Sequence, residues 1–352
     1  MCFKSDAPRI LRNLEYNVDV SVFFRWSILL ESKTKVHLSQ AIIHTLTQAA
    51  FGSGSSILNI TELTEGWYNT AYALTLSSGH KTVLKVGPPP DADILSYEHN
   101  IMWSEVEVMR MLEPDPAIPV PHMTMADFTG DLILNAYYFM DYVEGEVWNN
   151  ISKQLTPAHN NRLSHQLGDI TAHINRYTND TFGYYAPSPR YSTWSDALHQ
   201  MFGMIFTDAD TYAISLPITL DEIFTRLEEQ YPSFAEVTTP QLVHWDLWQG
   251  NVFVDTTQDA PDICAVIDFE RVYWGDPLGE VFFRGSGNPS YIAGYGQPVL
   301  HTKAQRTRNL FYDLYLYVIM VVEDGPRQYS DKGAVKWARK KLDETLESIR
   351  QL

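Results

Sequence analysis

The chain has 352 residues, with 26 Lys plus Arg against 43 Asp plus Glu, giving a formal net charge of −17. That length suits two unequal lobes, each with its own core, and 45% hydrophobic with 20% charged residues excludes a disordered chain. The acidic balance argues against nucleic acid as a partner and favours small cationic molecules.

Cys2 and Cys264 cannot build a disulfide framework and suit a reducing, cytoplasmic compartment. The apolar run from Val20 to Leu30 is broken by Arg25 and is too short to span a bilayer. Met1 to Arg12 lacks the apolar core and cleavage site of a secretory signal. No membrane association and no obligate protein partner are expected.

In chain order, Val36, Ile42, Ile43, Leu46 and Ala50 predict a helix over Val36–Gly52, ended by Gly52 and Gly54. Strands follow at Ile57–Leu63, Ala71–Leu76 and Thr82–Val86, with Ser77–His80 as a turn. Between the first two strands lies Thr64–Thr70, a loop with one glycine, Gly66, and polar side chains at Asn69 and Thr70. Its position ahead of a lysine-bearing strand suits phosphate contact by backbone amides and those side chains. Lys85 sits among apolar residues of the third strand and must find a polar or anionic partner.

A helix is predicted over Ile94–Leu112, carrying Glu98, Glu105 and Glu107. After a proline-rich link, Leu132–Leu134 and Ala136–Met140 read as two further strands, which would complete a five-stranded sheet. Helices are then predicted over Arg162–Tyr177, Trp194–Phe206 and Ile218–Gln230, and near the end over Thr302–Val322 and Asp331–Ile349.

The chemistry concentrates in Leu242-Val243-His244-Trp245-Asp246-Leu247-Trp248-Gln249-Gly250-Asn251 and Ala265-Val266-Ile267-Asp268-Phe269-Glu270. An apolar run delivers Asp246, the amide Asn251 follows, and a second apolar run delivers Asp268. One carboxylate to orient a hydroxyl, then an amide and a carboxylate for a hard cation, is the residue order of phosphoryl transfer. A hairpin through Val252–Val254 and Ile263–Ile267 would bring Asn251 and Asp268 together.

This order, with Lys85 upstream, resembles the aminoglycoside phosphotransferase and choline kinase-like branch of the protein-kinase-like fold. The resemblance implies an α+β bilobal architecture, with a small five-stranded antiparallel sheet lobe and a larger, mostly helical lobe. It places an N-terminal extension and helix at 1–56, a nucleotide-binding lobe at 57–143 and a catalytic and acceptor-binding lobe at 144–352. It implies ATP and Mg2+ as cofactors, Asp246 as the catalytic residue, and Asn251 and Asp268 as metal ligands. Gly66, Asn69, Thr70 and Lys85 would meet phosphates, with Glu105 pairing Lys85 and Glu98 as its alternative. Asp141 and Val143 would belong to the hinge that meets adenine through backbone groups.

His173 would pack behind the catalytic loop, and His244 would brace that loop, with a role as base as its competitor. Glu270 could touch a second metal or the acceptor, or form a structural ion pair. Asp276 and Glu280 would anchor the catalytic loops. Trp245 stands where the family usually has glycine, so its indole would narrow the acceptor cleft or alter the loop. Asp313, Glu323 and Asp324 are candidate amine receptors, with solvated surface as the alternative, and Tyr295, Tyr312 and Tyr317 would pack a core or bracket a cation. The expected reaction is transfer to a hydroxyl of a small, amino-bearing molecule. A non-catalytic nucleotide-binding or scaffold protein of the same fold is the alternative, and a protein kinase fits less well because no three-glycine loop is present.

Overall fold

The computed structural model describes residues 34–352, except Glu65, Trp67, Pro187 and Ser286. The expected features before Thr34, including the apolar run from Val20, lie outside the described residues.

Ser39 caps helix α1 (Gln40–Phe51) through its side chain, and Gly52 ends it at φ +94°. Strands β1 (Ile57–Leu63), β2 (Thr70–Leu76) and β3 (Lys81–Val86) follow, then helix α2 (Ile101–Leu112), β4 (Met123–Asp127) and β5 (Tyr137–Asp141). The five strands form one sheet in the order β1-β2-β3-β5-β4, with every pairing antiparallel.

Alternation divides this sheet into two faces. Tyr72, Leu74, Leu84, Val86, Tyr137 and Phe139 pack on Ile43 and Leu46 of α1. Val83, Tyr138 and Met140 join the larger core that also contains Val106 and Met109 of α2. The sheet is therefore covered on both faces, and Lys85 lies on the α2 side.

The strand expected at Leu132–Leu134 is absent; Leu132 is 46% and Leu134 77% exposed. The added strand is β4, whose pairing with β5 shifts register between Met123 and Met125. That irregularity breaks the alternation by which the strand would be read. The expected long helix also starts later, because Glu98 turns back to accept the Leu95 amide at 2.9 Å and Asn100 adopts φ +63°.

The remaining chain begins with β6 (Glu146–Val147), α3 (Trp148–Ile151), α4 (Pro157–Ile174), β7 (Gly183–Tyr184), α5 (Trp194–Thr211), α6 (Leu220–Glu229) and α7 (Tyr231–Phe234). It continues through β8 (Gln241–Val243), β9 (Val252–Asp255), β10 (Asp262–Val266) and β11 (Tyr273–Gly275). Helices α8 (Pro289–Tyr295), α9 (Lys303–Val322), α10 (Asp324–Arg327) and α11 (Gly333–Ile349) complete it. Two three-stranded sheets, β10-β9-β6 and β7-β11-β8, carry the loops of Asp246 and Asp268 on this helical body. No helix among the described residues is long and apolar enough to cross a membrane.

Candidate active site

Lys85 reaches off β3 into a group of carboxylates. Its Nζ donates to both oxygens of Glu105 on α2, at 3.0 and 2.9 Å, and to Asp268 Oδ1 at 2.5 Å. Glu270 Oε2 stands 3.7 Å away. Burial works against the ammonium, but its acidic neighbours prevail and raise its pKa well above the ordinary lysine value. The Glu105 carboxyl is raised as well: burial pushes it up to about 7, although Lys85 opposes the shift.

The loop that carries Asp246 leaves β8 directly. His244 is fully buried, its Nε2 donates to the Ile267 carbonyl at 3.0 Å, and its ring stands 4.4 Å from that of Phe269. Burial lowers its pKa to about 4, so the ring is neutral and braces the loop. Glu280 holds the same turn from outside, accepting the His244 amide at 2.8 Å and the Trp245 amide at 3.1 Å.

Trp245 adopts φ +65°, a left-handed conformation that glycine enters without strain and a bulky side chain does not. Its indole is buried beside Tyr315 and Tyr273, with ring centres 5.6 and 6.4 Å away. It therefore packs the helical core.

Asp246 follows, half-buried. Burial pushes its carboxyl up to about 7, with Arg271 pulling it down and Asp268 and Glu270 adding to the rise. A carboxyl at that value is poised to accept a proton near neutrality.

The hairpin of β9 and β10 supplies the other half. Asn251 donates from Nδ2 to the Asp246 carbonyl at 2.8 Å, while the Ile267 amide donates to the Asn251 carbonyl at 3.0 Å. Two segments distant in sequence are thus tied beside one another. Asp268 has φ +71°, and burial would raise its carboxyl, but Lys85 outweighs that and holds it low.

Carboxylate oxygens of Glu105, Asp268 and Glu270 all lie within 4.8 Å of one another. Both Glu105 oxygens and Asp268 Oδ1 are engaged by Lys85, so the second Asp268 oxygen, Glu270 and the side-chain amide oxygen of Asn251 are the groups that could meet a cation. Oxygen donors of this kind around a single ammonium fit a hard divalent ion.

The other expected site residues divide. Asn69 donates to Glu270 Oε2 at 2.8 Å and so joins the group around Lys85. Thr70 does not. It pairs with Val86 and shares the α1 face of the sheet, where its hydroxyl accepts the Val36 amide at 3.0 Å. Gly66 is exposed in the loop between β1 and β2. The Asp141 amide donates to the His122 carbonyl at 2.9 Å, and its carboxylate lies 3.5 Å from His80. Val143 follows Tyr142, whose amide donates to the Lys81 carbonyl at 3.2 Å.

Several expectations change. Glu98 does not meet Lys85; it pairs with Arg327. His173 lies 3.6 Å from Asp115, and the residue behind the catalytic strand is Asn175, which donates to the Leu242 carbonyl at 2.7 Å. Asp276 accepts from Arg308 and Tyr312 at 2.7 and 2.6 Å. Asp313 pairs with Arg284, Asp324 with Lys332, and Glu323 with Arg271 and Arg327, so these acids are engaged within the protein. Tyr295, Tyr312 and Tyr317 are core residues. Arg271 was not anticipated, although its place three residues past Asp268 was a usable signal.

A match to the phosphotransferase enzyme family covers residues 59–283, well over half of the chain. The chain belongs to that family. Solved structures of similar fold include a thermostable mutant of the aminoglycoside phosphotransferase APH(4)-Ia, in a ternary complex with AMP-PNP and hygromycin B. It is 18% identical, with a TM-score of 0.61, and the match covers 87% of this chain and 98% of that one. The APH(2")-IIa complex with streptomycin and ATP is 17% identical, with a TM-score of 0.55 and coverage of 90% and 97%. A candidate fructosamine-3-kinase of Thermobifida fusca is 19% identical, with a TM-score of 0.59 and coverage of 88% and 99%. At these identities the likeness establishes the fold, and this phosphotransferase family member's substrate must be argued from its own residues.

Proposed function

We propose that this phosphotransferase transfers the terminal phosphoryl group of ATP to a hydroxyl of a small polar molecule. The observation that carries the reading is the tie between the Asp246 loop and the Asp268 loop through Asn251, with Lys85 held against Asp268. Asp246 would accept the hydroxyl hydrogen, align the oxygen with the phosphorus and take the proton late in transfer. Lys85, fixed by Glu105, would hold the phosphates on the nucleotide side. Val143 and the end of β5 would meet adenine at the backbone. Asp268, Asn251 and Glu270 would hold Mg2+, which when bound supplies positive charge to the phosphate oxygens.

The amino-bearing acceptor expected from the net charge loses the support of Asp313, Glu323 and Asp324, all paired internally. The scaffold alternative loses its motive, because the Trp245 indole is buried in the core.

The test is a panel of small alcohols with ATP and Mg2+, comparing the unaltered protein with Asp246→Asn and Asp268→Asn. Asp246→Asn is expected to lower transfer by about 10²–10⁴-fold, the usual weight of a positioned base. Undiminished transfer by both variants would refute the assignment.

A further inference from the structure

Around Arg271 the charges run against the acidic character of the whole chain. Arg271 ends the short turn Phe269–Arg271, and its guanidinium lies 5.8 Å from the Tyr97 ring centre. Its Nη2 donates to Glu323 at 2.8 Å, the one hydrogen bond of this side chain among the described residues. A guanidinium carries five N–H donors, and the Arg271 side chain keeps 15% of its surface open.

Glu323 has no capacity left for a substrate cation. It also pairs with Arg327 at 3.0 Å and accepts from the Tyr97 hydroxyl at 3.2 Å. Glu98 takes the other side of Arg327. Two guanidiniums and two carboxylates therefore balance, and Arg271 keeps donors beyond its bond to Glu323 while being the foremost positive charge acting on the Asp246 carboxyl. Burial works against the charge on Arg271, but Glu323 and Asp246 outweigh it and hold its pKa above the ordinary arginine value.

We propose that Arg271 is a specificity-determining residue that receives an anionic oxygen group, a carboxylate or phosphate ester, borne by the acceptor near the hydroxyl that Asp246 orients. A guanidinium fork matches such a group with two parallel hydrogen bonds. The transferring phosphoryl group is the competing source of that charge. The ion pair of Arg271 favours the acceptor: Arg271 is paired with Glu323, whereas the phosphate side already has its own cation in Lys85, paired with Asp268. This inference rests on the phosphotransferase reading of Asp246.

The experiment compares alcohols that differ by one carboxylate, ethanolamine with serine and xylose with glucuronate, using ATP and Mg2+. In the unaltered protein the anionic member of at least one pair should be preferred by about tenfold or more in kcat/KM, the weight of a charged hydrogen bond. Arg271→Gln should collapse that ratio, and Arg271→Lys, which keeps the charge that balances buried Glu323, should retain part of it. Equal or reversed preference in the unaltered protein overturns the inference. So does an Arg271→Gln protein that loses kcat equally on both members, which would place Arg271 on the phosphoryl group. ATP binding with no transfer to any alcohol, neutral or anionic, would remove the phosphotransferase reading and this inference with it.

Discussion

Lys85 is clamped between Glu105, at 2.9 Å, and Asp268, at 2.5 Å, so one ammonium links the sheet, α2 and the loop that follows β10. Replacing Lys85 with Met would leave three mutually close carboxylates without their cation. Breaking a buried pair in this way costs about 3–5 kcal/mol. The expected outcome is a clear fall in Tm together with loss of ATP binding by calorimetry. Glu105→Gln keeps a hydrogen-bond acceptor and should weaken ATP binding by only about tenfold, the weight of one charge-assisted bond.

Glu280 holds two consecutive amides of the catalytic loop. Its substitution by Ala would leave both amides buried and unpaired, at about 1–3 kcal/mol each. The variant should lose stability in denaturant melts and lose kcat, since Asp246 follows directly on the anchored turn. A Glu280→Ala protein with normal kcat would show that the loop keeps its shape without this anchor.

Trp245 sets two effects against each other. Glycine at that position would relieve backbone strain of about 1–3 kcal/mol at φ +65°. It would also remove a buried indole, and truncating Trp in a core costs about 3–5 kcal/mol. The cavity is the larger effect, so Trp245→Gly should destabilise by about 2 kcal/mol, measured by chemical denaturation. A stabilised variant would mean that the strain outweighs the packing of Tyr273 and Tyr315.

The parts of this site that the sequence made legible are those fixed by local order. Asp246, Asn251 and Asp268 could be read because β8 and the β9–β10 hairpin are short apolar segments with turn residues between them. Lys85 could be read because a charge inside an apolar strand requires a partner, while the choice of Glu105 over Glu98 follows from the resemblance of its helix to the family's glutamate-bearing one. What could not be read depends on side-chain direction across the fold. Thr70 faces α1 because its pairing with Val86 sets the strand's phase, one residue out from Lys85. Glu98, the alternative partner for Lys85, and Glu323, a candidate amine receptor, both pair instead with Arg327, and 98 and 327 meet across more than two hundred residues. The strand β4 escaped notice because its register shift hides the period.

His244 gives a pH-dependent signature. Its folded-state pKa is lowered to about 4 from 6.5, so the unfolded chain takes up the proton first. The stability due to a neutral buried ring is therefore fully present above pH 6.5 and lost as pH falls towards 4. Between pH 7 and pH 5 the loss is about 2 kcal/mol. Glu280 and Asp246, both raised to about 7, shift stability in the opposite sense over that range. Comparison with His244→Gln cancels them, so the stability advantage of the unaltered protein over that variant should narrow by about 2 kcal/mol on going from pH 7 to pH 5. A constant difference would mean that His244 titrates normally and is open to solvent.

Helices α4 and α8 cross at a distance that glycine permits. A Cβ built at Gly168 would collide with the Tyr291 carbonyl oxygen, and one at Gly294 with the His165 carbonyl oxygen. Both obstacles are backbone atoms, so no side chain can rotate away. In an open helix, Gly→Ala stabilises by about 1 kcal/mol through propensity. Here overpacking, at about 1–3 kcal/mol or more, opposes it. Gly168→Ala is therefore expected to lower Tm, whereas Gly203→Ala on α5, with nothing within 4 Å of its added Cβ, should raise it. The contrast between the two substitutions isolates the close crossing from helix propensity, and equal effects at both positions would rule the crossing out as the cause.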